Sequence, residues 1–304
     1  MPKKIAVIGP GAIGSLFAAK LAQAGHELFL MDRRPQRAAV RSNSGIKLSE
    51  DNALYLIPVR SSVSPKDFCS AEIVFVCTKA YDTATVAPYI AQLISPAGAA
   101  VSLQNGIGNT EIIEKYAEGR TLCATTSQAA LLQNDFSVRH TGSGPTSIAP
   151  VGHTSTQQAR QIADILTEAG LSTSINTNPQ TMLWDKLLVN AAINPITAIY
   201  GINNGELLKN SGAFNTACSI AKEAAAVASA GNISLTCSDP VKAFSDVCRA
   251  TASNRSSMLR DIENGRKTEI NAINGAIVKL AQKLNVAAPA NIELIDTIKK
   301  LEKS

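Results

Sequence analysis

Lys186, Asn190 and Asn194 stand four residues apart in a segment that is otherwise largely apolar, running from Trp184 to Tyr200. At about 100° per helical residue, a step of four drifts only about 40°, so the three side chains project from one helix face. An ammonium and two carboxamides on one stripe can hold a substrate oxygen and deliver a proton to it. That chemistry belongs to an enzyme acting on a carbonyl or hydroxyl group. A second run, Ser257 to Glu269, continues in fours through Asp261 and Gly265. On an unbroken helix Ser257 and Glu269 would stand about 120° and roughly 18 Å apart, at opposite ends of a small site. By spacing alone Glu269 reads more readily as a solvated helix residue.

Other residues point to a dinucleotide. Gly9-Pro10-Gly11-Ala12-Ile13-Gly14 gives GxGxxG directly after an apolar run and before a helical stretch. The first glycine permits a tight turn, the second lets a pyrophosphate approach the backbone, and the third allows close helix–strand packing; the helix N-terminus then offers amide donors. Asp32, at the end of the next strand, is placed to accept hydrogen bonds from an adenosine ribose, which favours NAD. Arg33 and Arg34 follow at once, and a guanidinium there suits the 2′-phosphate of NADP. A solvated Asp-Arg-Arg turn is the plain alternative. Lys79 and Asn105 each follow an apolar strand, at the carboxyl ends where open α/β sheets bind ligands. As ordinary loop residues they would be a surface lysine and an Asn-Gly turn.

These residues need a frame. Short apolar strands at 4–8, 27–31, 72–77 and 99–103 alternate with helical stretches at 12–24, 83–94 and 109–117, which implies a doubly wound parallel sheet. Strands at 121–126, 136–140 and 145–150 read as additions closing that sheet, and a helix at 155–169 with a strand at 171–175 completes the unit. From about 178 the pattern is helical: 180–200, 204–208, 211–230, 239–250, 253–284 and 290–302. Pro195 predicts a kink or break in the first of these. The expected organisation is an α/β, Rossmann-type domain over 1–175 and an all-α domain over 176–304 that carries the catalytic and substrate residues.

With 304 residues, 45% of them apolar and 17% charged, the composition is globular. No apolar run reaches the roughly 18–20 residues of a membrane span, and the N-terminus reads as a first strand, not a signal peptide. The net charge of +5 is scattered, without a basic stripe interleaved with aromatics, so nucleic acid is not an expected partner and an anionic small molecule is. Six cysteines form no CxxC pair and no metal-ligand spacing; free thiols in a reducing cytoplasm, and no metal, are expected. His26 sits in the turn before the second strand, a common structural position, and His140 and His153 have no acidic partner nearby in sequence, which leaves lysine as the better proton donor. The helical domain could support a homodimer.

Together these residues resemble the ketopantoate reductase (2-dehydropantoate 2-reductase) family, within the 6-phosphogluconate-dehydrogenase-like oxidoreductases. The likeness rests on Gly9–Gly14, Cys77-Thr78-Lys79, Leu103-Gln104-Asn105-Gly106, the run from Lys186 to Ala198, Asn204-Gly205-Glu206-Leu207, Ser256–Ile262 and Thr268-Glu269-Ile270, and it spans almost the whole chain. It implies hydride transfer from a reduced nicotinamide to the ketone of a 2-oxo acid: NADPH-dependent reduction of ketopantoate to pantoate for pantothenate synthesis. On the family's pattern Lys186 is the general acid and Glu269 orients lysine or substrate beside the cofactor. Asn190 and Asn194 hold substrate oxygens, Ser257 the carboxylate. Lys79 and Asn105 line the nicotinamide side, with Asn105 also near substrate, and Asn204 looks structural. Gly9, Gly11, Ala12, Ile13, Gly14, Asp32 and Arg33 fall to the cofactor. Asp32 departs from the family, which carries an apolar or small residue there and a basic one at 33, so NAD remains open. The same scaffold also allows an NAD-dependent dehydrogenase for another branched 2-oxo acid, or a non-catalytic dinucleotide sensor.

Overall fold

The structure, a computed structural model describing residues 1–303, divides into two compact units. Met1–Gln104 and Asn109–Pro179 form the first; Asn105–Gly108 and the chain from Gln180 onward form the second.

In the first unit the chain runs β1 (Lys4–Ile8), α1 (Ala12–Gln23), β2 (Glu27–Met31), α2 (Pro35–Ser44), β3 (Ile46–Glu50), β4 (Ala53–Ile57), β5 (Arg60–Ser62) and β6 (Ala71–Val76). It continues through α3 (Thr83–Leu93), β7 (Ile94–Ser102), α4 (Asn109–Glu114), β8 (Thr121–Thr126), β9 (Ala129–Leu132), β10 (Ser137–Gly142), β11 (Thr146–Pro150), α5 (Thr156–Glu168) and β12 (Thr173–Ile175). Eight strands form one sheet in the order β12-β11-β8-β7-β6-β1-β2-β5. Every neighbouring pair in it is parallel except β11 with β8. β1 is buried from Ile5 to Ile8, as a central strand covered on both faces must be. Phe17, Phe75, Leu16 and Leu30 pack on one side of this sheet; Ile8, Phe29, Val74 and Ile90 pack on the other.

From β1 the chain first adds strands on one side and then returns to place β6 on the other. The order therefore reverses between β1 and β6, and a crevice for a ligand belongs at that point.

The strand expected at 136–140 does not close this sheet. As β10 it lies in a separate four-stranded sheet, β4-β3-β10-β9, parallel to β3 and antiparallel to β9. Three of those strands, and β5, come from stretches whose short or surface-exposed segments give no clear alternation: Leu54, Tyr55 and Leu56 of β4 are all exposed.

The second unit is helical: α6 (Pro179–Tyr200), α7 (Asn204–Leu207), α8 (Ser211–Ala230), α9 (Pro240–Ala250), α10 (Ser257–Glu263), α11 (Asn274–Leu284) and α12 (Pro289–Leu301). Its core gathers Trp184, Leu188, Ile220, Phe244, Ile277 and Ile298. Two expectations change here. The stretch 253–284 is not one helix: α10 stops at Glu263, Gly265 takes a left-handed φ of 58°, and the chain from there to Ile273 is held by tertiary bonds before α11 begins. Glu302 is one anchor, its Oε1 accepting from the Thr268 N–H (2.7 Å) and hydroxyl (2.6 Å). The helical angle and rise between Ser257 and Glu269 therefore do not apply. Pro195, in turn, does not break α6. A proline has no N–H for the carbonyl four residues earlier. Here that carbonyl, Ala191 O, accepts from Asn274 Nδ2 at 3.2 Å.

No helix among the described residues is long and apolar enough to cross a membrane.

Candidate active site

At the carboxyl end of β1 the chain turns through Gly9, whose φ is 78° and whose N–H donates to Met31 O at 3.1 Å. A Cβ at Gly9 would lie 2.4 Å from Thr78 Cγ2, so only glycine lets the β1 turn pass the end of β6. At Gly14 a Cβ would come within 2.9 Å of Gly9 O, and packing of α1 on the strand requires its absence. Gly11 differs. Nothing lies within 4 Å of its would-be Cβ, it precedes α1 without a capping side chain, and the first turn holds no acidic residue. Ala12 and Ile13 are half-buried beside it. A helix N-terminus with open space in front and no acidic side chain in its first turn suits a phosphate. Lys79, half-buried, follows β6 and starts a short 3₁₀ turn over Ala80–Asp82. Gln104 Nε2 donates to Thr78 O and Oγ1, both at 3.1 Å, and to Thr83 Oγ1 at 2.7 Å, which ties the ends of β6 and β7 together.

Asp32, one residue past β2, is only 1% exposed and lies inside an arginine cluster. Its Oδ1 accepts from Arg37 Nη2 at 2.7 Å and from the Arg34 N–H at 3.1 Å; Oδ2 pairs with Arg37 Nε and lies 3.5 Å from Arg41 Nη1. Arg41 is fully buried and also donates to Pro10 O at 2.8 Å, Asp135 O at 2.6 Å and Ser15 Oγ at 3.2 Å. Burial pulls its guanidinium down to about 10, so it stays charged at neutral pH. Arg33 points outward, its side chain 79% exposed, 3.5 Å from Asp82 Oδ2.

In the second unit, α6 carries Lys186 and Asn190, both half-buried, and the buried Asn194. Asn105–Gly108 belongs to the same unit: the Ile107 N–H donates to Ala272 O at 3.2 Å, and a Cβ at Gly106 (φ 82°) would meet that oxygen at 2.4 Å. This loop sets Asn105 Nδ2 3.3 Å from Glu269 Oε2. Glu269 is 5% exposed, and its own carbonyl accepts from the N–H groups of Ala272 and Ile273, a tight turn in place of the expected helix. Burial pushes the Lys186 ammonium down to about 8, a fall the negative charge of Glu269 partly opposes. Lysine, glutamate and Asn105 are thus grouped from three distant parts of the sequence.

Ser257 is the exposed first residue of α10. Its neighbour Ser256 caps that helix through Leu259 N (3.1 Å), donates to Asn194 O (3.3 Å) and accepts from Thr197 Oγ1 (2.7 Å), which fixes Ser257 relative to the face of α6. Asn204 Nδ2 donates to Thr251 Oγ1 at 2.8 Å, joining the start of α7 to the end of α9. Sequence reasoning passed over Arg37, Arg41, Gln104 and Asn274. Only the arginines left a readable signal, since 33, 37 and 41 are spaced by four. Among the described residues no three His, Cys, Asp or Glu side chains are grouped to hold a metal ion, and all six cysteines are free.

Known proteins resemble this chain over nearly its whole length. A family model described as ketopantoate reductase PanE/ApbA matches residues 5–153, and the model for the C-terminal part of the same family matches 178–302. The 2-dehydropantoate 2-reductase of Archaeoglobus fulgidus is 34% identical over 99% of this chain and 98% of its own. Among solved structures, a ternary complex of D-mandelate dehydrogenase with NADH and anilino(oxo)acetate has a TM-score of 0.93 and 28% identity, covering 99% of this chain and 98% of that one. A PanE/ApbA family ketopantoate reductase from Ralstonia eutropha JMP134 has a TM-score of 0.89 and 29% identity, with the same coverage.

Proposed function

This chain belongs to the ketopantoate reductase family, and we propose that it reduces the ketone of 2-dehydropantoate to the 2-hydroxy acid pantoate with NADPH. The observation that carries this reading is the grouping of Lys186, Glu269 and Asn105 in the second unit, with Lys186 brought down to about 8 by burial.

The glycine turn of the first unit supports a dinucleotide: Gly9 and Gly14 are excluded from carrying side chains by close neighbours, while Gly11 opens onto free space before α1. Gly9, Gly11, Ala12, Ile13 and Gly14 would hold the pyrophosphate, Arg33 the adenosine end, and Lys79 and Asn105 the nicotinamide end. When bound, the reduced dinucleotide supplies the hydride that reaches carbon 2 of the oxo acid. Negative charge then grows on the former ketone oxygen, and Lys186 Nζ transfers a proton to it, giving the hydroxyl. A lysine near 8 is still mostly protonated at neutral pH and gives its proton up more readily than one at 10.5. Glu269 keeps that ammonium charged and in place, and solvent returns the proton after turnover. Asn190 and Asn194 hold substrate oxygens from the same helix face, and Ser257 receives the carboxylate. The site serves a cytoplasmic biosynthetic enzyme.

A second reading, an NADH-linked 2-hydroxy acid dehydrogenase for another branched 2-oxo acid, is favoured by the likeness to the NADH complex of D-mandelate dehydrogenase. Initial rates with 2-dehydropantoate, with NADPH and NADH supplied separately, distinguish the two. A higher kcat/KM with NADPH is expected. Turnover with NADH alone, or of benzoylformate in preference to 2-dehydropantoate, would replace the first reading by the second.

A further inference from the structure

An aspartate at the end of the second strand is the usual acceptor for the hydroxyls of an adenosine ribose, and its charge repels a 2′-phosphate. In this chain that aspartate is already occupied. A carboxylate offers about four lone-pair sites. Asp32 accepts three hydrogen bonds, from Arg37 Nη2 and the Arg34 N–H on Oδ1 and from Arg37 Nε on Oδ2, and the Arg41 guanidinium stands 3.5 Å from Oδ2 as an ion pair. Its side chain has no solvent-exposed surface. The surroundings are electropositive as well. Arg33, Arg34, Arg37 and Arg41 face the carboxylates of Asp32, Asp82 and Asp135, an excess of one positive charge.

Two of the arginines have fixed employment. Arg41 is buried against the glycine turn, and Arg34 Nη2 is paired with Asp135 at 2.6 Å. Arg37 is different: it lies in the first turn of α2, it supplies two of the three hydrogen bonds to Asp32, and 13% of its side chain remains exposed. It is the group whose removal would return Asp32 to a ligand.

We propose that Arg37 is a cofactor-selecting residue: by occupying the Asp32 carboxylate it withdraws the acceptor for a 2′-hydroxyl and cancels the charge that would repel a 2′-phosphate. The dinucleotide bearing that phosphate is thereby favoured. This inference rests on the NADPH reading above and deepens it, since it accounts for NADPH use by a chain with an aspartate at this strand end.

The test is equilibrium binding, by calorimetry, of NADPH, NADH, adenosine 2′,5′-bisphosphate and 5′-AMP to the intact protein and to Arg37→Met, Asp32→Asn and the double variant. Arg37→Met is expected to lower the ratio of NADPH to NADH affinity by about tenfold or more, the scale of one charge-assisted hydrogen bond. The two adenosine fragments should shift in parallel. Asp32→Asn leaves no charge to unmask, so adding Arg37→Met to it should move the ratio by less than about threefold. An unchanged ratio in Arg37→Met overturns the proposal. So does an equal fall when Arg37→Met is added to Asp32→Asn, which would mean Arg37 acts on the phosphate directly. Should Arg37→Met fail to fold, Asp32→Asn alone decides: NADH affinity is expected to hold within about threefold, and a loss of about tenfold would mean Asp32 does hold the ribose. The NADPH reading itself is judged separately, by the affinity ratio of the unaltered protein.

Discussion

Lys186 joins pH to turnover directly. A general acid must be protonated, so kcat is expected to fall as pH rises through about 8, by about tenfold per unit beyond it. A pH–rate profile measures this limb. Glu269 raises the lysine by its charge, so Glu269→Gln should move the limb to lower pH; a limb left in place would mean the glutamate acts elsewhere. Lys186→Ala should lower kcat by about 10²–10⁴-fold while NADPH binding is retained. The lysine and its asparagines were legible at this scale because four-residue spacing on an apolar helix is a local signal. Spacing alone did not mark Glu269, whose neighbours in sequence resemble a solvated helix; the family resemblance singled it out, and its Asn105 contact comes from a residue 164 positions away.

Among elements, α6 is the informative case. Pro195 was visible in the sequence, and the break it implied followed from a correct rule about the missing N–H. What the sequence does not display is that Asn274, 83 residues from Ala191, supplies the donor and keeps the helix whole. Asn274→Leu should therefore lower stability by about 1–3 kcal/mol, the scale of a buried carbonyl left without a partner. Pro195→Ala restores an N–H within the helix, and in that background Asn274→Leu should lose less. Urea denaturation of the four proteins forms the cycle, and equal losses in both backgrounds would show that the asparagine does not act for the proline. The misread stretch 253–284 has the same origin. Helix-forming residues fill it, yet Gly265 and the grip of Glu302 on Thr268 stop it.

For the molecule as a whole, strand–helix alternation followed by continuous helix was enough to read an α/β half and a helical half. The separate four-stranded sheet was not readable, because β4 exposes Leu54, Tyr55 and Leu56 in succession, with no alternation to mark a strand. Binding to the native state alone raises its stability by about 2.7 kcal/mol at a hundred times the dissociation constant. At about 2–4 °C per kcal/mol for a domain of this size, NADPH should raise the melting midpoint by roughly 5–10 °C. Gly9→Ala, whose methyl group would overlap Thr78, should lose most of that rise in a thermal-shift assay.

The loop from Asn105 to Gly108 also sets a timetable. Its sequence lies between β7 and α4, but its partners Glu269 and Ala272 are made more than 160 residues later. At roughly 5–20 residues per second on a ribosome, that interval is about 8–30 s. Once Pro179 has been added the first unit's chain is complete, while this link still lacks the glutamate and carbonyl that hold it. A ribosome stalled near residue 180 should present the link to a protease, and a finished chain should protect it.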